Sequence, residues 1–578
     1  MKSLEFLVIK FVFSNKKNVY FDRRILESKN ILETRALDDY FQSEVAFNFS
    51  WIFKIQKKKI IGEINYKLVP YMSNKMKDQY DAIVIGSGVG GSGCAALLTA
   101  AGYDTLMIEK NERLGGACSS YYKKGYTIDV AVHMFSGSKH FNRILKKTGH
   151  PGEIDFIKTL GERSVILTKN APPLHMFSED MRPGTRPVDS MNSSQSALKD
   201  LGFSDKDIED LFNLFLQILA VRKNEILDLM HVPLSKWITQ FTDSDAVYYL
   251  MSYVCGIFFV IPIHVASAGE FVYSLQKGIP TITYPRGGAI AIPNAFGKIV
   301  QEEGGKILMN TRVKKILLDG NKVEGVLLAD DRMIKAPIIV SNAGIKPTIF
   351  NLLSSTSMLG KKYLQKVENL IPSFSSITFK VALNKRIITE YDAMHIFNQR
   401  FDEFQKPDTD RPWDYYFEEE QIRNTQFMVP IPSNMDPSLA PKGKQLIIFG
   451  CGAPPKLPSG KNWKFLIDNY WELILDLYPD IEKNLDFLDI TTPEHIIQFT
   501  GKSEAPVEGT AFTIDQVGEK RISSRIPNIE GLYIAGDTAG QNAHGVGTEM
   551  AVNSGILVFN MIQQDYPKLC KKYIKIKA

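Results

Sequence analysis

Cysteine is scarce and scattered in this chain of 578 residues. Cys94, Cys118, Cys255, Cys451 and Cys570 form no C-x-x-C pair, which excludes a redox dithiol and a cysteine zinc site and argues against a disulfide framework. A reducing compartment follows, so a cytoplasmic location is expected, with contact at a membrane surface left open. Charge of one sign is lacking as well. A net charge of +5 over this length is too weak to argue for nucleic acid, although a basic patch would assist contact with an anionic membrane. No Ser–His–Asp set, metal-ligand cluster or paired-carboxylate signature stands out, and no metal is expected. An uninterrupted apolar run of bilayer length is also missing. Ala246–Gly269 comes nearest, but Ser252, Gly256, Pro262, His264 and Ser267 interrupt it, and Pro262 breaks a helix. A buried helix pair lining an apolar cavity is the expectation there. With 44% hydrophobic and 23% charged residues, what remains has the balance of a folded protein, and its length asks for two or more domains.

What is present begins at Asp81–Gly93. Ala82–Ile85 reads as a short buried strand, Gly86, Gly88 and Gly91 complete G-x-G-x-x-G around Ser87, and Cys94–Ala101 reads as the helix that follows. The first glycine permits the tight turn, the second lets the backbone approach a pyrophosphate, and the third lets helix and strand pack closely. The free N–H groups of the helix start then face the phosphates. A second strand, Asp104–Ile108, ends in Glu109, near the spacing of about 20 residues at which an acid meets the ribose hydroxyls. Strand, glycine motif, helix, strand and acid in that order specify dinucleotide binding. No second G-x-G-x-x-G occurs, so a stably bound second nucleotide is not supported.

Glu109, Lys110, Arg113, Gly115 and Gly116 fall in the pattern E-x-x-x-R-x-G-G of FAD-dependent oxidoreductases. With these motifs the chain resembles the phytoene desaturase, carotenoid isomerase and retinol saturase group, relatives of the amine oxidases. Gly125–His133 resembles the G-x-x-[FY]-D-x-G-x-H segment of that group, with Ile128 at the aromatic position and Ala131 where glycine is usual. Tyr284–Gly288, Gly304–Val313, Val340–Ala343 and the loop Asp436–Pro441 resemble further motifs in the same order. The resemblance implies that the backbone at Val313 meets the adenine. Near the C-terminus an apolar strand ends in Gly536-Asp537, and a loop of small residues reaching Gly547 opens a helix from about Thr548 to Ile562. The resemblance implies that Asp537 bonds the ribityl–phosphate region and that this helix points its start at the flavin.

The expected fold is α/β, with a Rossmann-type FAD-binding domain built from discontinuous segments and an α+β substrate domain of mixed sheet and helices. FAD-binding segments are placed at 79–150, 284–345 and 501–567, and substrate segments at 151–283 and 346–500. Residues 1–78 are expected outside the catalytic fold; Met1–Phe13 is apolar but broken by Glu5 and Lys10, with no cleavage site after it. Ser204-x-x-Asp207 marks a capping box, and Thr311–Leu318, Lys322–Ala329 and Arg332–Ile339 read as three strands. The function implied is FAD-dependent desaturation, saturation or isomerisation of C–C bonds in a carotenoid or other isoprenoid lipid. Two alternatives stay open: another amine oxidase-type flavoenzyme, and a prenyl-binding escort or GDP-dissociation-inhibitor-like protein without flavin chemistry. His544, Tyr253, His264 and Glu549 are the polar candidates for the flavin face.

Overall fold

Four small or branched apolar residues, Ala82–Ile85 (β1), are buried on both faces, as the middle strand of a parallel sheet must be. The computed structural model to which they belong describes residues 77–135, 138–158, 163–168, 171–175, 195–276, 283–406, 417–418, 422, 425–457 and 462–577. The extension expected over 1–78 therefore lies, up to residue 76, outside the described residues.

From β1 the chain turns at Gly86 into α1 (Val89–Ala100) and returns along β2 (Thr105–Ile108). The helix starts at Val89 rather than Cys94, inside the glycine motif, and every one of its residues is buried. Its glycine, serine and alanine residues allow that, because short side chains let neighbouring backbones come close. After β3 (Ser164–Thr168) come α2 (Asp205–Ala220), α3 (Lys223–Leu229) and α4 (Asp245–Phe259). The capping box at the start of α2 is formed: Asp207 N donates to Ser204 Oγ and Ser204 N donates to the Asp207 carboxylate at 2.8 Å. Helix α4 stops at Val260, which takes φ +53°, a left-handed conformation that a β-branched residue adopts only at a cost. Pro262 follows, and helix resumes only at α5 (Ala268–Gln276). Among the described residues no helix is long and apolar enough to cross a membrane.

Helix α6 (Ala291–Glu302) and β4 (Lys306–Leu308) lead into β5 (Val313–Asp319), β6 (Lys322–Leu328), β7 (Met333–Lys335) and β8 (Ile338–Ser341). The single strand expected over Arg332–Ile339 is thus two, in different sheets: β7 pairs antiparallel with β6, and β8 runs parallel to β1. Pro337 sits between them, and its missing N–H interrupts a ladder where the chain crosses over. A mixed seven-stranded sheet is then built from β9 (Ser375–Leu383), β10 (Ala393–Phe397), β11 (Gln426–Pro430), β12 (Gln445–Ala453) and β13 (Leu485–Thr491). Its order is β13-β9-β12-β11-β10-β3, with the short strand Leu174–His175 at the edge. Last come β14 (Leu532–Ile534) and α7 (Gly547–Asp565). The parallel sheet is completed as β14-β8-β1-β2-β4, so its outer strand comes from the far end of the chain. Helix α1 packs against α6 and α7 over a continuous apolar core.

Candidate functional site

Three neighbouring strands of the parallel sheet, β1, β8 and the outer β14, end at one place, and Asn342 ties them together. Its backbone N–H donates to Ile85 O at the end of β1 (2.8 Å), and its side-chain amide donates to Ala535 O at the end of β14 (2.9 Å). Around that amide stand Gly86, Gly88 and Gly536, each within a few ångströms of where a Cβ would go. At Gly88 an added Cβ would overlap Asn342 Oδ1. The start of α1 carries no side-chain cap, so its first N–H groups are free toward the same spot. Carboxyl ends of parallel strands, backbone without side chains and an open helix N-terminus together fit a dinucleotide pyrophosphate.

Glu109 is held as an acceptor at the edge of this cradle. Ser87 donates to one of its oxygens from both backbone N (3.0 Å) and Oγ (2.5 Å), and Asn111 N donates to the other at 2.9 Å. Gly115 N donates in turn to Ser87 Oγ at 3.0 Å, closing the E-x-x-x-R-x-G-G turn onto the G-x-G turn. Lys110 lines the same edge and donates to Gln498 O at 3.2 Å; burial lowers its affinity for a proton.

On the other side Asp537 is surrounded by charged residues that the sequence did not single out. Lys502 Nζ donates to both oxygens of Asp537 at 2.8 and 3.0 Å, and the buried Arg521 donates to Asp537 O at 2.7 Å. Glu508 receives the backbone N–H of Gly547 at the start of α7. Burial pushes the Glu508 carboxyl up to about 8, and Asp537 nearby adds to the shift. The folded protein therefore holds this proton between the ordinary carboxylate range and pH 8 while the unfolded chain does not. Glu508 contributes stability that is present in acid and lost as pH rises through that window. Glu508→Gln keeps an acceptor for Gly547 N–H and removes the titration. It is expected to flatten the thermal-unfolding profile between pH 5 and 9 and to raise stability at pH 9 by on the order of 2 kcal/mol. Parallel profiles for the two proteins would contradict the assignment.

From the cradle a single cleft of about 2050 Å³ continues between α4 and the seven-stranded sheet. Pockets for single small ligands are typically about 300–1,000 Å³, so there is room for a dinucleotide and a long second molecule. Gly86, Ser87, Gly88, Glu109, Lys110 and Gly115 line it, as do Gly116, Val313, Gly536, Asp537 and Gly547. Gly91 and Arg113 do not. Gly91 packs under the turn against Gly86 O and Asn342, and Arg113 lies over the Phe499 ring at 4.9 Å and pairs with Glu112 at 3.1 Å. Of the four polar candidates, Tyr253 and His264 line the cleft. His544 stacks on Tyr273 at 4.1 Å and pairs with the buried Glu270 at 3.1 Å, and Glu549 faces His140 at 3.4 Å; neither lines it. Asn342 had a legible signal, an asparagine directly after a buried strand. Lys502 and Glu508 had none, because their roles depend on a loop folded back over the sheet.

The NAD(P)-binding Rossmann-like domain family matches residues 84–148. A phytoene desaturase of Fusarium fujikuroi is 28% identical over 63% of this chain and 65% of its own length. The chain thus spans slightly under two thirds of that relative. The chloroplastic prolycopene isomerase of Arabidopsis thaliana is 26% identical over 84% of this chain and 83% of its own. A solved structure of an oxidoreductase from Methanosarcina mazei superposes with a TM-score of 0.59 at 19% identity, covering 83% of this chain and all of that one, which establishes the shared fold. On these matches and the motifs that carry them, the chain is similar to the phytoene desaturases and the prolycopene isomerase, over a shared Rossmann-like nucleotide-binding fold.

Proposed function

We propose that this protein is an FAD-dependent oxidoreductase that removes, adds or rearranges C–C double bonds in an apolar isoprenoid. The observation that carries the reading is the one continuous cleft, glycine-lined at the cradle and apolar beyond it. Residues at the cradle divide the work of binding. Ser87 and Gly88 present backbone to the pyrophosphate, Glu109 accepts from the adenosine ribose, Val313 meets the adenine, and Asp537, held by Lys502, meets the ribityl–phosphate region. Gly547 and the start of α7 stand beside the same space, where a helix N-terminus favours negative charge. Bound there, the flavin supplies the hydride or electron transfer. The protein's part is to orient the chain of the substrate and keep water from it. Ile257, Phe258, Phe427 and Ile448 line the cleft for that purpose.

Contact with a membrane surface fits the same reading. Leu216 and Leu219 are exposed on α2, one turn from Phe212 and Phe215, which line the cleft, and Leu227 is exposed on α3. An apolar surface at a cleft mouth suits a substrate that arrives from lipid.

The purified protein is expected to be yellow, with the absorption of oxidised flavin, and to sediment with anionic vesicles. Cells expressing it are expected to change their extractable isoprenoids relative to cells expressing Gly88→Val, in which the new side chain collides with Asn342 and distorts the pyrophosphate turn. A colourless protein that still retains lipid would make it a carrier. Unchanged isoprenoids with flavin bound would remove the substrate class.

A further inference from the structure

Five residues form a straight row across the floor of the cleft. Ile166, His395, Met428, Gly450 and Thr378 are direct neighbours through four successive ladders, from β3 to β9. Residues opposite one another in a ladder leave the sheet on the same face, and all five line the cleft. The middle of the row is apolar or, at Gly450, bare. His395 is the polar residue next to Ile166, at three strand spacings or roughly 14 Å from Thr378.

Facing His395 from the roof is Tyr253 of α4. The two rings meet edge-on with centroids 5.8 Å apart, and Phe397 fixes the tyrosine from the side at 4.3 Å. Both residues are more than nine-tenths buried, at 6% and 2% exposure, yet Tyr253 Oη and His395 Nε2 have no hydrogen-bond partner in the protein. Unpaired buried polar atoms are uncommon and costly, and two of them on touching rings that both line the cleft call for a ligand. Burial keeps the histidine uncharged, its proton affinity pushed down to about 4, and keeps the tyrosine protonated. The pair therefore offers a neutral donor and a neutral donor-or-acceptor, which suits an uncharged oxygen and not a carboxylate or phosphate.

We propose that Tyr253 and His395 form a subsite for one neutral oxygen of the substrate, a hydroxyl or a carbonyl. The proposal rests on the isoprenoid reading above and narrows it: the substrate is an oxygenated isoprenoid and not a hydrocarbon. A hydrocarbon in this cleft leaves both atoms unpaired, and a site built to bond an oxygen rejects the analogue that lacks it.

The test offers the flavin-loaded full-length protein an equimolar mixture in detergent micelles. The probes are geranylgeraniol and the hydrocarbon made by replacing its hydroxyl with hydrogen; lipid that co-elutes with the protein is quantified. The wild type is expected to retain the alcohol about tenfold or more over the hydrocarbon. Tyr253→Phe should reduce that preference several-fold, and the double variant Tyr253→Phe, His395→Leu should erase it with flavin content and total lipid retained unchanged. Met428→Leu, on the same row but without a hydrogen-bonding oxygen or nitrogen in its side chain, should leave the preference intact. Equal retention of the two lipids by the wild type, or a preference unmoved in both variants, overturns the subsite and leaves the redox reading standing. Retention of neither lipid by flavin-loaded protein overturns both.

Discussion

Gly90→Val is expected to part the two halves of the cradle and give a protein that purifies without flavin. A Cβ at Gly90 would lie 2.6 Å from Ala551 O, 3.0 Å from Gly536 N and 3.1 Å from Gly536 Cα. All three are backbone atoms, so no side chain can swing aside. Gly555 on α7 answers from the opposite side, where a Cβ would overlap Gly90 O. The variant must therefore push α1 from α7 and drag Gly536 away from Asn342. Overpacking of this kind costs on the order of 3–5 kcal/mol where backbone has to move. Visible absorbance of the purified protein and its thermal midpoint are the measurements. Gly320→Ala is the control. Gly320 has φ +59° but nothing within 4 Å of an added Cβ and lies away from the cleft, so it risks only local backbone strain of about 1 kcal/mol. Flavin retained in Gly90→Val at the wild-type level would mean that the two segments do not approach as described.

The second large effect is expected from the mildest-looking change at the acid. Glu109→Gln preserves shape and size, yet both carboxylate oxygens already accept backbone N–H groups, from Ser87 on one side and Asn111 on the other. An amide must turn its NH₂ toward one of them, setting donor against donor in a buried position. Leaving a buried donor without an acceptor costs about 1–3 kcal/mol. The loop that carries Ser87 also shapes the pyrophosphate turn, so the cost falls on cofactor affinity. Glu109→Gln should bind flavin about 10- to 100-fold more weakly by titration of the stripped protein. Glu109→Asp, which keeps both acceptors on a shorter stem, should lose less. Equal affinity of Gln and wild type would show that the two N–H groups are not what positions the acid.

Much of this arrangement is legible in the residues, and the limits are instructive. Ala82–Ile85, the glycine turn and Glu109 can be read because each is a local requirement: buried strand, side-chain-free turn, acid at a set spacing. The strand before Gly536-Asp537 and the helix after it are equally local, and their relation to Gly86 follows from a resemblance and not from spacing. Pairings between distant segments are another matter. The row from Ile166 to Thr378 depends on the register of four ladders, and no stretch of sequence states that register. His544 looks like a polar residue near the flavin, but Glu270 and Tyr273 occupy it from a different helix. Arg332–Ile339 has the pattern of one strand, and Pro337 was the residue that should have divided it. Lys502 and Glu508 sit in a loop without periodicity, where chemistry comes from the fold alone.

The order of strands in the parallel sheet also bears on how the protein matures. The strand that finishes the sheet, β14, and the helix whose backbone meets Gly90 leave a ribosome after every other strand of that sheet. Until then Asn342 has no Ala535 carbonyl to hold, and the glycine turn stands open to solvent on one flank. Contacts so remote in sequence form late. Colour should accordingly appear only after synthesis has run past α7, and a chain stalled before it should stay colourless however well its other sheet has folded. Uptake of the cofactor then doubles as a check that β14 and α7 have docked.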